Sequence, residues 1–438
     1  IKVAQDMLHK WKETGEMVDE VDLETMMHIL SPSMATPDFV NELHKLAEEY
    51  EKEHLAGQAL DPEGDVVRFI VRTYSKARSN SVISVRSVTS GAGTDDSKID
   101  LVEEDPSDLG DAWPVHLDGA KAQELEAVFA SFDEWDFDVF KVAELTDNRP
   151  LQFITWRALK QHDCFETFKI DPKKMRSLLQ NLEQGYILAN PYHNNTHAAD
   201  VVQTVHFFIS KGGLGPLLSP LEVFAMLISA AAHDVGHNGV NNAFHVNTSS
   251  NLAITYNDNS VLENHHCSVL FNLLTRHERF NVFEGLEHDQ YVELRRMVIS
   301  MILHTDMSHH FDQVKELKMK IEVKGADPKV WDSNELLRNA LLHAADISNP
   351  VKTQKFATVW ADRCLAEFFA QGDKEKALGL AVSPLCDRDT TSRPDSQIGF
   401  IKFVVKPFYQ SLAEVLPPLQ TCVDCADANL AYWDSLKA

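Results

Sequence analysis

The sequence predicts an all-α fold: a compact multi-helix domain over residues 118–438, preceded by a helical N-terminal appendage at 1–74 and a Ser/Gly/acidic linker at 75–117. Three observations carry this. Beyond about residue 118 the apolar residues recur at three- and four-residue spacing, no stretch alternates with the period of two that a strand requires, and Gly and Pro gather at breaks such as Lys211-Gly-Gly-Leu-Gly-Pro and Gly325-Ala-Asp-Pro. At 438 residues and 44% hydrophobic content, the chain can bury a large helical core and still carry an appendage.

In chain order, Phe39, Val40, Leu43, Leu46, Ala47 and Tyr50 form an amphipathic stripe after Pro37. The heptads are not sustained, so packing on a neighbouring helix or domain is favoured over a coiled-coil dimer, with a homodimer or intramolecular regulation through these N-terminal helices left open. From Ser75 to Asp111 the composition shifts to Ser, Thr, Gly and acids, with too few bulky apolar residues to offset ordering entropy. Arg78 to Ser81 and Arg86-Ser87 have the form of phosphorylation sites, but an ordinary polar linker is the favoured reading, since such short matches are common by chance. Leu221 to Ala232 is apolar nearly all round and predicts a helix buried at the centre of the domain, with His233-Asp234 at its C-terminal end. Two polar residues there are costly unless they bind something.

The formal net charge of -25 argues against a nucleic-acid partner and favours divalent cations. A phosphorylated substrate would need metal ions or local Lys and Arg to reverse the potential in its pocket. The six cysteines show no disulfide-framework spacing, which points to a reducing compartment, and Cys422-Val-Asp-Cys425 stands alone as a chance C-x-x-C. No apolar run reaches the roughly 18 residues of a membrane span, so a cytoplasmic protein is expected. A chain beginning at Ile1 is expected to be a fragment or processed form, with any membrane anchor confined to segments upstream. The N-terminal helices are acidic, which does not suit calmodulin binding.

Fourteen of the 20 histidines fall between His193 and His343. A lone histidine is usually a satisfied core or surface residue, but this clustering on apolar helices changes the odds. His193 and His197 are four apart and would face one site from a helical turn; His233-Asp234 adds a nitrogen ligand and a carboxylate able to bridge two ions; Asp346, after the apolar stretch Leu341 to Ala345, closes the set. Mixed N and O donors suit Zn²⁺ with a harder ion beside it, a site that activates water. His237, Glu263, His265, His266 and Asp306 suit an outer layer that orients ligands and holds bound waters.

Five motifs then occur in order: Tyr192-His-Asn-Asn-Thr-His-Ala-Ala-Asp, His233-Asp-Val-Gly-His, Ser260-Val-Leu-Glu-Asn-His-His, His343-Ala-Ala-Asp-Ile-Ser-Asn-Pro and Ser396-Gln-Ile-Gly-Phe. The stretch from about Trp135 to Val415 resembles the catalytic domain of class I cyclic nucleotide phosphodiesterases, of the helical His-Asp type. Asn242-Ala-Phe-His and Ser383-Pro-Leu-Cys-Asp-Arg are most similar to the calmodulin-stimulated subfamily, although Asn349 stands where that subfamily usually has His. The resemblance implies that His197, His233, Asp234 and Asp346 hold zinc. It also implies that Asp234 bridges to a Mg²⁺ or Mn²⁺ completed by waters, and that His193 is the general acid. It implies a base pocket in which Gln397 hydrogen-bonds the purine and Phe400 stacks on it. Tyr192, Met307, Ile347, Asn349, Cys364 and Phe368 would line that pocket, Cys364 standing where the family commonly has Ile or Val. The implied reaction is hydrolysis of the 3′ ester of cyclic AMP or cyclic GMP, ending cyclic nucleotide signalling. Asn349 leans the choice toward cyclic AMP or dual use, and the sequence leaves it open. Two rivals remain: another metal-dependent phosphohydrolase sharing the ligands but not the base pocket, and an inactive cyclic-nucleotide sensor, which intact ligand positions disfavour.

Overall fold

The computed structural model describes residue 117 and residues 119–437, so the expected 39–50 helix, the 75–111 linker and its serines lie outside the described residues. Among the described residues every regular element is helical, as the apolar spacing predicts. Helices α1 (Gly119–Phe129), α2 (Val139–Leu145), α3 (Pro150–Gln161), the single turn α4 (Cys164–Thr167) and α5 (Pro172–Gln184) come first. Their starts follow ordinary capping chemistry: Asp138 accepts from Lys141 N, Asp171 accepts from Lys173 N, and Pro150 and Pro172 open α3 and α5.

Two helices form the centre. In α6 (Asn195–Ser210), every residue from Asn195 through Ile209 is buried, and Asn194 caps the start by accepting from Thr196 N and His197 N. Helix α7 (Pro220–Ala232) begins with a capping box between Ser219 and Glu222 and buries everything from Val223 to Ala232. The predicted central helix is thus α7. It packs on α6 and on α11 (His288–Leu303), while α6 packs on α3, α7 and α13 (Glu335–Asp346). Phe224 is fully buried and stacks on Phe168. Truncating such a ring to alanine costs about 3–5 kcal/mol.

The remaining elements surround this pair: α8 (Asn242–Asn247), α9 (Asn251–Thr255), α10 (Val261–Arg276), α12 (His310–Lys324), α14 (Gln354–Ala377), α15 (Arg393–Phe400), α16 (Lys406–Val415) and α17 (Gln420–Ser435). Between α15 and α16 the chain makes a π turn over Ile401–Val405. Pro407 explains it, having no N–H to give and no room against the carbonyl four residues back. The predicted breaks fall between helices, and Gly325 ends α12 with φ +87°. No helix among the described residues is long and apolar enough to cross a membrane, and all six cysteines are unpaired.

Candidate active site

Three helix ends converge. His197 sits in the first turn of α6, His233 caps the C-terminus of α7 with Asp234 next, and Asp346 is the last residue of α13. Two helix C-termini aimed at one point favour a cation there. His197 Nε2 lies 3.0 Å from Asp346 Oδ1 and 3.5 Å from Asp234 Oδ2. His233 Nε2 lies 3.2 Å from Asp234 Oδ2, 3.3 Å from Asp346 Oδ1 and 3.3 Å from His197 Nε2. Four donors at about 2.0–2.2 Å from a tetrahedral zinc would stand about 3.3–3.6 Å apart, so the set fits that ion. Asp234 Oδ2, though buried among these donors, has no hydrogen-bond partner, which is what an atom reserved for a metal requires. His233 Nδ1 donates to the Ala230 carbonyl at 2.9 Å, which fixes the ring and leaves Nε2 for the centre.

The other Asp234 oxygen faces away from this set. Oδ1 lies 3.7 Å from His266 Nε2, itself buried without a hydrogen-bond partner, while His266 Nδ1 donates to Val235 O at 2.7 Å. A carboxylate with one oxygen on each side has the form of a bridge between two ions. Burial works against the Asp234 carboxylate, but the facing His233 charge holds it well below the usual range, and the same pairing holds His233 well above its own.

His193 stands outside α6, one residue before the cap Asn194, so it does not share a helical turn with His197 as the four-residue spacing suggests. An Asn cap requires extended backbone at its own position, and that turns the preceding chain off the helix axis. The two rings sit 5.8 Å apart at 87°. His193 Nδ1 pairs with Glu367 of α14, whose other oxygen accepts from the backbone N–H of Tyr192 at 2.9 Å and of His193 at 3.0 Å. Burial pushes the His193 imidazolium down, but the Glu367 charge and hydrogen bond outweigh it and raise the group to about 9. Burial likewise opposes the Glu367 carboxylate, and His193 prevails, holding it at about 2. His237 stacks on His193 at 3.9 Å; burial, reinforced by the His193 charge, keeps it well below 6.5 and therefore neutral.

The loop between His233 and His237 turns through Gly236 at φ +84°, where a Cβ would meet His265 Nε2 at 2.7 Å. His265 thus packs against this turn, and it is His266 that faces Asp234. Asn190 Nδ2 then stitches the two loops together, donating to His193 O at 2.9 Å and His237 O at 2.8 Å. Glu263 accepts from Asn242 Nδ2 at 2.9 Å; burial first and Asp306 second push it well above the usual range. Asp306 accepts from Ser260 Oγ and Ser308 N, each at 2.8 Å.

Among the residues expected to line the base pocket, Tyr192 OH donates to Asn349 Oδ1, and Tyr192 packs edge-on to Trp360. Cys364 and Phe368 lie one turn apart on α14, half-buried beside Glu367. Burial pushes the Cys364 thiol far above its ordinary value, so it stays a neutral thiol. Gln397 and Ile347 are buried, and Met307 and Phe400 are half-buried against the core. Gln397's side-chain amide has no hydrogen-bond partner among the described residues. Sequence reasoning missed Glu367, Asp200 and Lys352, of which only Asp200 stood inside a quoted motif.

The family model for 3′5′-cyclic nucleotide phosphodiesterase matches residues 192–426. A rat dual specificity calcium/calmodulin-dependent 3′,5′-cyclic nucleotide phosphodiesterase 1B is 46% identical over 286 residues, covering 65% of this chain and 52% of that relative. A rat 3′,5′-cyclic-AMP phosphodiesterase 4C is 41% identical over 325 residues, covering 72% and 59% respectively. The phosphodiesterase domain of the RhoPDE fusion protein from the choanoflagellate Salpingoeca rosetta superposes with a TM-score of 0.66 at 36% identity, covering 72% of this chain and 97% of that domain. The chain spans about half the length of the first of these curated relatives. With the motifs, the helical fold and the donor cluster in agreement, the chain belongs to the 3′,5′-cyclic nucleotide phosphodiesterase family.

Proposed function

We propose that the chain hydrolyses the 3′ ester of 3′,5′-cyclic nucleotides to 5′-nucleoside monophosphates, with cyclic AMP among its substrates. The observation that carries this is a cation-shaped donor set beside a histidine that Glu367 keeps protonated at neutral pH. His197, His233, Asp234 and Asp346 would hold Zn²⁺, and Asp234 Oδ1 would offer the protein's link to Mg²⁺ or Mn²⁺. The chemistry such ions supply is a bound water acidified toward neutrality and neutralisation of phosphate charge. That neutralisation also answers how a chain of charge -25 admits an anion.

This chain's own side chains do the rest. Glu367 fixes His193 through Nδ1, so the remaining proton, on Nε2, is the one available to the departing 3′ oxygen. Such a donor is worth about 10²- to 10⁴-fold. Gln397 would hydrogen-bond the purine and Phe400 would stack on it, with Tyr192, Asn349, Met307, Ile347, Cys364 and Phe368 enclosing the base. His237, Glu263, His265 and Asp306 would order the waters and ligands around the ions. Relatives named for dual specificity and for cyclic AMP both support cyclic AMP as a substrate. A cytoplasmic setting suits the unpaired cysteines. Incubating the full chain with cyclic AMP, cyclic GMP and nucleoside monophosphates tests the reading; turnover of monophosphates alone would reject it in favour of another phosphohydrolase.

A further inference from the structure

A groove of about 340 Å³ lies between α2 and α14, on a face the mechanism above does not use. Phe140 of α2 forms one wall, and Phe356, Val359 and Arg363 of α14 form the other. The Phe140 and Phe356 rings stand 6.1 Å apart, and Val359 is open to solvent, 38% exposed. The other charges at the groove are answered within the protein: Lys355 Nζ pairs with Asp138 Oδ2 at 2.7 Å, and Lys141 Nζ pairs with Glu144 at 2.8 Å and with Glu124 of α1 at 2.9 Å.

Arg363 differs. Its guanidinium lies half-buried over the Phe140 ring at 4.8 Å and the Trp360 ring at 5.6 Å, with no hydrogen-bond or carboxylate partner among the described residues. Burial alone acts on it and pulls it below its ordinary value. A guanidinium held on aromatic faces still offers its N–H fork edgewise, in the geometry that fits a carboxylate. An apolar floor beside one unanswered cation suits a length of chain that carries acids and aliphatic side chains together.

The sequence holds such a stretch close by. Ile99-Asp-Leu-Val-Glu-Glu-Asp has three aliphatic residues and four acids, and no Lys or Arg occurs between Ile99 and Lys121. The earlier linker carries Lys76, Arg78, Arg86 and Lys98, which would repel Arg363. The chain enters α1 at Gly119, and Glu124, about 8 Å along that helix, touches Lys141 at the groove rim. The residues from 106 to 118 form a tether that reaches about 40 Å when extended, ample for this approach. At a net charge of -25 the chain repels an acidic partner from outside, whereas a tethered segment meets the groove at an effective concentration on the order of millimolar.

We propose that the groove between α2 and α14 is the docking site of the chain's own 99–105 segment, with the segment's acids on Arg363 and its aliphatic side chains on Phe140, Phe356 and Val359. Docking there is independent of the reaction at the metal site. It fastens the linker to the flank of the helical domain.

The test is amide hydrogen exchange on the full chain, read at residues 99–105. In the parent these amides should exchange about tenfold slower than an unprotected peptide, as a docked form outweighing the free one by about ten to one requires. Arg363→Glu should abolish the protection, and so should Glu103→Arg with Glu104→Arg. Combining the three changes should restore it, because the charges then match with their signs exchanged. No protection in the parent overturns the proposal, as does protection that survives Arg363→Glu or that the combined variant fails to recover. Protection that rises with protein concentration alongside a dimer in sedimentation also overturns it, since the occupant is then a second copy. If Arg363→Glu does not fold, Val359→Asp decides. A carboxylate at that exposed position spares the core and should release the segment, and retained protection refutes docking here.

Discussion

Two buried polar clusters share helix α6, and they are satisfied in opposite ways. In the first, His197, His233, Asp234 and Asp346 crowd their donor atoms together, yet Asp234 Oδ2 and His197 Nδ1 have no hydrogen-bond partner. In the second, three residues further along the helix, Asp200 spends one oxygen on Lys352 and the other on Asn349. Buried polar groups are costly when unpaired, so the first cluster suits a cation, whereas the second is complete as it stands. The difference separates a donor set with an unpartnered oxygen from a polar cluster whose partners all come from the protein.

The largest effect should come from breaking the first cluster. Replacing Asp346 with Ala removes one of four donors; metal content by elemental analysis should fall below stoichiometric and turnover to background. Retained metal with retained turnover would show that Asp346 is not a ligand. His193→Ala, by contrast, should leave metal content intact and lower kcat by about 10²- to 10⁴-fold. Turnover unchanged in that variant would remove His193 from its role as acid.

A third prediction concerns pH. His193 is raised to about 9 and is needed in its protonated form, so kcat/KM should hold through neutrality and fall as pH rises through about 9. In Glu367→Gln only the charges of Asp234 and Asp346 are left to oppose burial, and the descending limb should move down, toward the ordinary imidazole value of about 6.5. With the limb at about 6.5, about a thirtieth of the acid stays protonated at pH 8, so the loss should reach up to about 30-fold and be recovered by acidification. A limb that stays near 9 would mean Glu367 does not set it. The smallest effect is on stability: Gly236→Ala forces a Cβ toward His265 Nε2 at φ +84° and should cost about 1–3 kcal/mol, read as a lowered Tm.

The helical fold, the central α7 and the four donors were legible because each leaves a local trace: an apolar run, a break, a polar pair after a buried helix. What stayed hidden depends on which face a residue presents. Asp362 and Glu367 are both acids on α14 with no motif around them, yet the first is exposed and pairs with Arg393, while the second is buried against His193. His265 and His266 are likewise adjacent, about 100° apart around α10; one packs on Gly236 and the other faces Asp234. Lys352 has no neighbour in sequence that betrays its burial. Its partners Asp200 and Thr204 lie about 150 residues earlier, and only the packing of the Asn349–Val351 turn beside α6 brings them together. The four-residue spacing of His193 and His197 misled for a related reason, since the helix begins between them.

The central claim is that this donor set and His193 cleave the 3′ ester of a cyclic nucleotide. The most direct test is to strip the full chain with a chelator, restore Zn²⁺ and Mg²⁺, and identify the product formed from cyclic AMP in ¹⁸O-labelled water. The account predicts metal-dependent formation of 5′-AMP with the label on phosphorus. Formation of 3′-AMP, or no turnover after the ions are restored, would contradict it.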